Sequence, residues 1–364
     1  MPDYSEKIKE LEEKIANTPY NKKTQHAIGL YKAQIAKLKE RQISRGSSKG
    51  SSDGYHVRKT GDGTVILVGF PSVGKSTLLN RLTNAESEVG NYAFTTLTVV
   101  PGVLEHKFAK IQVLDVPGIV SGAASGKGRG KEVLSTMRSA DLILILIDAL
   151  HPEHLPALRK EIWETGIRLD QKRPDVKITK KSKGGISVGS TVPMKSIDES
   201  TITAILNEFR ISNADVVIRS DIDADTFIDC IEGNKKYVPS LLVVNKIDLV
   251  SDAERRSLQK RLKPDLMISA AKRSHIDELK DAIFSKLDFM RIYMKEPGKE
   301  ADTEEPLITF KNSTVRDVCE KLHRDFIKNF KFCRVWGNSS KFDGQKLMLN
   351  HTLMDGDILE LHMR

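Results

Sequence analysis

The chain has 364 residues, of which 39% are hydrophobic and 29% are charged, so it is long enough to form two or three cores. No run approaches the ~18 apolar residues of a membrane span, and the N-terminus lacks an apolar signal region, so we expect no membrane association. The formal net charge of +9 favours a polyanionic partner, although many solvated surfaces are basic without one.

The cysteines carry little structural information. Cys230, Cys319 and Cys333 are few, odd in number and in no C-x-x-C pair. This pattern predicts reduced thiols in a cytoplasmic protein rather than a disulfide or zinc framework.

The first 45 residues predict a helical hairpin. Ile8, Leu11 and Ile15 recur at helical spacing, and residues 17–19 (NTP) break the pattern. A second apolar stripe among lysines then follows at Ile28, Tyr31, Ile35 and Leu38. We expect the two helices to pack on each other or on the domain that follows; a lysine side that faces RNA or a partner is the alternative. Residues 45–54 (RGSSKGSSDG) have the composition of a flexible linker.

The next stretch has the pattern of a phosphate-binding loop. Residues 64–68 (TVILV) predict a strand, residues 69–77 (GFPSVGKST) match G-x-x-x-x-G-K-[ST], and residues 78–82 (LLNRL) predict a helix. The glycines allow a tight turn whose backbone N–H groups point at phosphate oxygens. Lys75 can supply charge to the β and γ phosphates, and the Ser76 hydroxyl can hold Mg²⁺. The loop alone does not separate GTPases from ATPases and kinases.

Three later motifs, each after an apolar strand, separate these classes. Residues 115–118 (DVPG) place a carboxylate that can hold Mg²⁺ through water, and an N–H that can reach a γ-phosphate. Asp248, in residues 245–248 (NKID), can accept from both N1–H and N2–H₂ of guanine, whereas adenine would be repelled. Residues 269–272 (SAAK) can offer a backbone N–H to the guanine O6. Together with the loop, these motifs predict a guanine-nucleotide-binding domain.

An insertion interrupts this domain. Residues 140–148 (ADLILILID) predict a buried parallel strand, but the next such strand starts about 90 residues later, where a crossover needs only a dozen or so. Spacing at Leu155, Leu158 and Ile162 predicts the ordinary helix. The excess predicts a small α/β subdomain, with a basic strand and a glycine-rich turn at residues 177–185. His151 and His154 lie at a helix start, and we interpret them as capping or surface residues without a further ligand nearby.

The character changes again near Phe289. Residues 291–294 and 307–310 predict two strands, and Ser313 is the predicted cap of a helix. Its predicted inner face is Val315, Val318, Leu322 and Phe326. Strands at residues 333–336 and toward residue 361 complete a β-grasp order of strand, strand, helix, strand and strand.

Taken together, GFPSVGKST, NYAFTTLTVVPG, DVPGIVSGAASGKGRG, NKID and SAAK resemble the Obg superfamily of GTPases, and more narrowly the developmentally regulated GTP-binding (DRG) family. The resemblance covers the whole chain, including LMDGDIL, which is similar to the end of a TGS domain. The glycine-rich N-terminal domain of Obg itself is absent from this sequence. A fold like ribosomal protein S5 domain 2 is implied for the insertion.

The resemblance implies this organisation: N-terminal helical hairpin 1–45, linker 46–60, GTPase domain 61–171 and 239–288, inserted subdomain 172–238, and TGS domain 289–364. The fold class is α/β, a doubly wound P-loop sheet with the inserted α/β subdomain and a C-terminal β-grasp domain.

The resemblance also implies the moving parts. Residues 91–98 (NYAFTTLT) correspond to switch I, with Thr96 closing on Mg²⁺ and Thr95 as the neighbouring candidate. Residues 121–130 (SGAASGKGRG) suit switch II, ordered by nucleotide and released on hydrolysis.

The site residues follow from these motifs. The candidates for catalysis are Lys75, Thr96 and Gly118, and those for the metal are Ser76, Thr96 and Asp115. The candidates for nucleotide binding are Gly69, Pro71, Ser72, Val73, Gly74, Lys75, Ser76, Thr77, Asp115, Gly118, Asn245, Lys246, Asp248, Ser269 and Ala270.

These residues predict a Mg²⁺-dependent switch that hydrolyses GTP to GDP and phosphate. The resemblance and the basic charge imply a cytoplasmic role on ribosomes or RNA, with a regulatory protein partner and no DNA. One alternative is an RNA-binding scaffold in which GTP is structural; another is a P-loop ATPase, against which Asp248 argues. Ile119 follows the D-x-x-G motif where a water-orienting Gln stands in Ras-like GTPases. Lys127, Arg129 or K⁺ can supply the missing function, although Ser72 replaces the P-loop Asn that holds K⁺ in some relatives.

Overall fold

The computed structural model describes residues 4–21, 23–45, 61–83, 100–116 and 136–364. Both predicted switch segments and Gly118 therefore lie outside the described residues. The chain forms two compact units. One contains the N-terminal hairpin and residues 163–237, and the other contains the central sheet and the C-terminal domain.

A six-stranded sheet forms the centre of the second unit. Its strands are β1 (Gly63–Val68), β2 (Val100–His106), β3 (Ala109–Asp115), β4 (Leu142–Asp148), β10 (Ser240–Asn245) and β11 (Leu266–Met267). The order is β11-β10-β4-β1-β3-β2, and only β2 runs antiparallel to its neighbour. Every residue of β4 is buried, as expected for a parallel strand covered on both faces. The carboxyl ends of β1, β3, β4 and β10 consequently meet at one edge.

Helices cover this sheet. Two of them were predicted, α3 (Lys75–Leu82) and α4 (His154–Glu164), whereas α7 (Asp252–Leu262) and α8 (Ile276–Lys286) were not. Leu78 and Leu82 of α3 and Ile283 of α8 join one hydrophobic cluster with the strands. This packing fixes α3, and therefore the loop that precedes it, against the sheet edge.

The C-terminal domain is the predicted β-grasp. Its strands are β12 (Phe289–Lys295), β13 (Leu307–Phe310), β14 (Phe330–Trp336), β15 (Gln345–Leu347) and β16 (Ile358–Met363), ordered β13-β12-β16-β14-β15. One face packs on α9 (Val315–Leu322), which a short helix α10 (Arg324–Lys328) follows. The strand β15 was not predicted.

Two predictions about α9 were wrong. Its N-cap is Thr314, which shares a capping box with Asp317, while the Ser313 hydroxyl donates to the Phe310 carbonyl instead. Leu322 is 38% exposed because the helix ends there and His323 is extended. Phe326 belongs to α10 but still packs against the same core, and Cys319 takes the place of Leu322 on the buried face of α9.

The first unit joins the N-terminal hairpin to the insertion. The hairpin consists of α1 (Tyr4–Asn17) and α2 (Gln25–Arg45). The insertion contains β5 (Ile167–Leu169), β6 (Val176–Lys180), β7 (Ile186–Ser190), α5 (Glu199–Glu208), β8 (Ala214–Ile218), α6 (Ala224–Glu232) and β9 (Lys236–Val238). Its three-stranded sheet has the order β6-β8-β7, and β5 pairs with β9 where the chain enters and leaves.

The two N-terminal helices pack on each other, as predicted, and α2 also packs on the insertion, a partner that the sequence did not indicate. Ala33 is fully buried in the insertion core, and a Cβ on Gly29 would lie 2.7 Å from the Thr201 side chain. Lys32 forms an ion pair with Asp225 at 2.5 Å. Small residues on α2 let the two helical surfaces approach closely, which the apolar stripe alone does not reveal.

Within the described ranges, no helix is both long and apolar enough to cross a bilayer.

Candidate functional site

The predicted phosphate loop connects the end of β1 to the start of α3. Gly74 has φ 96°, and a Cβ there would lie 2.5 Å from Nδ2 of Asn245. A Cβ on Gly69 would lie 2.6 Å from the carbonyl oxygen of Leu146. Both positions therefore require glycine. Gly74 needs it for its left-handed backbone and to avoid a clash with Asn245, and Gly69 needs it only to avoid a clash with Leu146.

Lys75 lies folded over this loop. Its Nζ donates to the carbonyl oxygens of Gly69 at 2.9 Å and Phe70 at 3.0 Å. Burial lowers the pKa of Lys75, and the nearby Asp115 carboxylate opposes that shift. The ammonium is thus held at the mouth of the loop, among the backbone groups that would surround a phosphate.

Ser76 and Asp115 meet across the sheet edge. The Ser76 hydroxyl donates to Asp115 Oδ2 at 3.2 Å, although 39 residues separate the two positions. Asp115 Oδ1 is buried and has no hydrogen-bond partner among the described residues. A hydroxyl and a carboxylate with a spare oxygen form a hard donor set, which fits Mg²⁺. The third predicted ligand, Thr96, lies outside the described residues.

Asn245 joins the phosphate end to the base end. Its Nδ2 donates to the Val73 carbonyl at 2.9 Å, and its Oδ1 accepts from the Ala270 N–H at 2.9 Å. Asn245 is 2% exposed, so both hydrogen bonds are shielded from water. The Ala270 N–H is consequently engaged by protein in this geometry.

Asp248 follows in a short 3₁₀ turn, Ile247–Leu249. Its Oδ1 is buried without a partner in the described part of the chain. The Ser269 hydroxyl chiefly lowers the pKa of Asp248, which favours the ionised, acceptor-only form. Such a carboxylate suits the two adjacent donors on the guanine edge.

The remaining candidate site residues fall into two groups, one that is exposed and one that lies outside the described residues. Pro71, Ser72 and Thr77 are exposed along the loop and the first turn of α3. Thr96 and Gly118, with Thr95, Ile119, Lys127 and Arg129, fall outside the described residues. The structure thus brings the loop, Asp115, the NKID segment and the SAAK segment to one edge of the sheet.

Comparison with known proteins decides the family. A family model described as a 50S ribosome-binding GTPase matches residues 64–181, the C-terminal region of the same domain matches 183–289, and a TGS domain matches 290–363. Developmentally-regulated G-protein 3 of Arabidopsis thaliana is 44% identical, over 99% of each chain. The chain belongs to the developmentally regulated GTP-binding protein family.

Two further relatives have similar coverage. Developmentally-regulated GTP-binding protein 2 of Homo sapiens is 42% identical over 98% of each chain. An uncharacterized GTP-binding protein of Methanocaldococcus jannaschii is 57% identical over 98% of this chain and 92% of its own. As a DRG-family member, the chain is a GTP-binding protein of the GTPase class, which confirms the predicted family, enzyme class and α/β fold class.

One residue of this DRG-family site was missed in the sequence. Asp148, at the end of β4, accepts from Lys246 Nζ at 2.7 Å and from the Leu150 N–H at 3.0 Å. It holds the NKID lysine, which has a left-handed backbone with φ 66°. The signal that could have revealed it is an acid directly after a buried apolar strand, the same signal that revealed Asp115.

Proposed function

We propose that this DRG-family GTPase is a Mg²⁺-dependent switch that acts on ribosomes or translation in the cytoplasm. The observation that carries the proposal is the match of residues 64–181 to the 50S ribosome-binding GTPase model. The net charge of +9 and the C-terminal TGS domain support it.

In this proposal the loop and the strand ends divide the work. Lys75 and the backbone N–H groups of the loop bind the phosphates, with Thr96 and Gly118 closing on the γ-phosphate. Ser76, Thr96 and Asp115 would hold Mg²⁺, which would neutralise the charge of the phosphates. Asp248 reads the guanine edge, while Asn245 and Lys246 position it, with Ser269 and Ala270 beside them.

The outer face of the insertion sheet supports an RNA contact. Its inner face packs on the insertion core through Val176 and Ile178, so Lys177 and Thr179 point the other way. Gly189 of β7 aligns with the same β8 residue as Lys177, and Ser187 aligns with the same β8 residue as Thr179. The side chains on β7 across from these two residues are therefore small. Asp215 on this face is paired with Lys181, so Lys177 and the lysines of the following turn supply the positive charge that suits a phosphate backbone.

The C-terminal sheet offers a second surface, on the face opposite α9. Lys346 Nζ lies 4.3 Å from the Phe332 ring centroid, and Lys295 Nζ lies 5.0 Å from that of Trp336. Arg334, between the two aromatic residues on β14, is exposed. Aromatic side chains interleaved with cations suit unstacked RNA bases.

Co-sedimentation with ribosomal subunits tests the proposal directly. We expect more protein in the pellet with a non-hydrolysable GTP analogue than with GDP, because a switch binds its target in one nucleotide state. Equal pelleting in both states, with negligible GTP turnover, would favour the alternative of an RNA-binding scaffold with structural GTP. Absence of pelleting in either state would contradict the ribosomal role.

A further inference from the structure

A cluster of potential metal ligands lies just before and within the first turn of α4, outside the residues predicted for the nucleotide. His151, Glu153 and His154 each offer one ligand atom, and these atoms lie within 4.8 Å of one another. The structure corrects the interpretation that the two histidines have no further ligand nearby. Glu153 supplies that ligand, since its Oε1 lies 3.1 Å from His151 Nδ1.

The two imidazoles already face each other. Their ring centroids are 5.3 Å apart with an interplanar angle of 23°. A first-row transition metal is held at about 2.0–2.2 Å by imidazole nitrogens and carboxylate oxygens, so side-chain rotations alone can bring the three atoms onto one ion.

The local electrostatics are compatible with a cation. The N-terminal end of α4 carries partial positive charge, which opposes a metal ion. The Glu153 carboxylate, whose Oε1 lies 3.1 Å from His151 Nδ1, offsets it.

The cluster also contacts the phosphate loop. The His154 ring stacks on the ring of Phe70 at 4.1 Å, with an interplanar angle of 21°. Phe70 is the second residue of the loop, and its carbonyl accepts from Lys75 Nζ. A ligand that immobilises the His154 ring would therefore restrain Phe70, whose carbonyl contacts Lys75.

We propose that His151, Glu153 and His154 form a binding site for a divalent transition-metal ion such as Zn²⁺, whose occupancy stiffens the phosphate loop through the stack of His154 on Phe70. Two imidazoles and one carboxylate suit Zn²⁺, Co²⁺ or Ni²⁺, whereas Mg²⁺ prefers oxygen ligands alone. The site is thus chemically distinct from the nucleotide magnesium, and it stands independently of any ribosomal role.

Metal binding is tested with tag-free full-length protein, stripped with EDTA, loaded with GDP and kept in excess Mg²⁺. Co²⁺ is titrated in while its visible absorption is recorded, and Zn²⁺ is then added as a competitor. We expect one saturable Co²⁺ per chain, displaced by Zn²⁺. His151→Ala and His154→Ala should each weaken the affinity by about tenfold or more, since each removes one of three ligands.

His275→Ala is the matched control. His275 also contacts a carboxylate, with Nδ1 3.2 Å from Glu278 Oε1, yet among the described residues it belongs to no cluster of three potential ligands. Its Co²⁺ affinity should equal that of the wild type. The site would be overturned if the wild type showed no saturable Co²⁺ binding, or if His151→Ala and His154→Ala bound Co²⁺ as tightly as the wild type.

The coupling is tested by the release of a fluorescent GDP analogue, with and without Zn²⁺. We expect Zn²⁺ to slow release by roughly fivefold, the lower end of ordinary coupling between sites. Phe70→Leu should abolish this effect while Co²⁺ binding persists, because it removes the stack and leaves the three ligands. An unchanged release rate in the wild type, or an effect that survives in Phe70→Leu, would refute the coupling.

Discussion

Asn245 donates through Nδ2 to the carbonyl of Val73, 172 positions earlier in the chain, at 2.9 Å. Its Oδ1 accepts from Ala270, so one buried side chain ties the phosphate loop to the base-reading segments. The same amide lies so close to the loop that a Cβ on Gly74 would be 2.5 Å from it.

Asn245→Asp retains the acceptor for Ala270 but places a carboxylate oxygen against the Val73 carbonyl. We expect GDP affinity to fall by about tenfold to a hundredfold, since a buried unpaired polar group costs about 1–3 kcal/mol. Isothermal titration calorimetry measures the change, with exposed Asn350→Asp as the control. Wild-type affinity in Asn245→Asp would show that the link to Val73 is dispensable.

Asp248→Asn should move nucleotide preference from GTP toward XTP. The buried Oδ1 of Asp248 has no partner among the described residues, and an amide there can donate to the 2-carbonyl of xanthine. Competition binding with both nucleotides measures the preference, and Asp252→Asn serves as an exposed control. Full GTP preference in the variant would mean that another residue reads the base.

The sequence predicts that Lys177, Lys180, Lys181 and Lys183 of the insertion contribute to RNA affinity, and the structure removes one of these four lysines from the test. Lys181 pairs with Asp215 at 2.5 Å, so it is left in place. Replacing Lys177, Lys180 and Lys183 with Ala should weaken ribosome binding and lower its salt slope by roughly 2, because each lost phosphate contact removes nearly one counterion.

GTP affinity should not change in this triple variant. Alanine at Arg256, Lys260 and Arg261, three exposed positions on α7, removes the same charge elsewhere and should leave the salt slope intact. An equal loss in both triple variants would assign the effect to net charge alone.

Intrinsic GTP hydrolysis should be slow. Ile119 has neither a donor nor an acceptor to orient water, so the rate should change little in Ile119→Ala. A ribosome, a partner or K⁺ should raise it, since a borrowed cationic group can contribute ~10³ to 10⁵ in rate. Single-turnover rates in Na⁺ and K⁺, with and without ribosomes, measure this. A fast rate in Na⁺ alone that collapsed in Ile119→Ala would contradict the prediction.

Arg168 and Asp229 should be critical to the stability of the insertion. The guanidinium donates to both carboxylate oxygens, at 2.5 and 2.7 Å, with both side chains buried, and it lies 3.4 Å from the Trp163 ring centroid. Arg168→Met leaves an uncompensated buried charge and should cost about 3–5 kcal/mol. Arg291→Met breaks the exposed pair with Asp355 and should cost about 0–1 kcal/mol.

Urea unfolding followed by the fluorescence of Trp163, whose ring contacts Arg168, measures the first cost, and the control is measured in the C-terminal domain. Similar midpoints for the wild type and Arg168→Met would show that Lys235, whose Nζ lies 4.0 Å from Asp229 Oδ1, is sufficient to compensate that carboxylate.

The sequence by itself determined the main helices and strands around the site and the chemistry of its residues, because both depend on residues that are neighbours in the chain. The buried run of β4 and the glycine-rich loop before α3 are local patterns, and parallel strands carry whatever follows them to one edge. The sequence could therefore predict that Asp115 and Ser76 would meet near the phosphates.

Contacts between distant segments were decided only by the tertiary structure. Asp148 and Lys246 are 98 positions apart, and their pairing depends on β4 lying beside β10. The docking of α2 on the insertion likewise depends on Gly29 and Ala33 meeting a surface some 170 residues away. Helical periodicity shows which face of α2 is apolar but not which partner covers it, because many surfaces bury apolar side chains equally well and close packing of side chains selects among them.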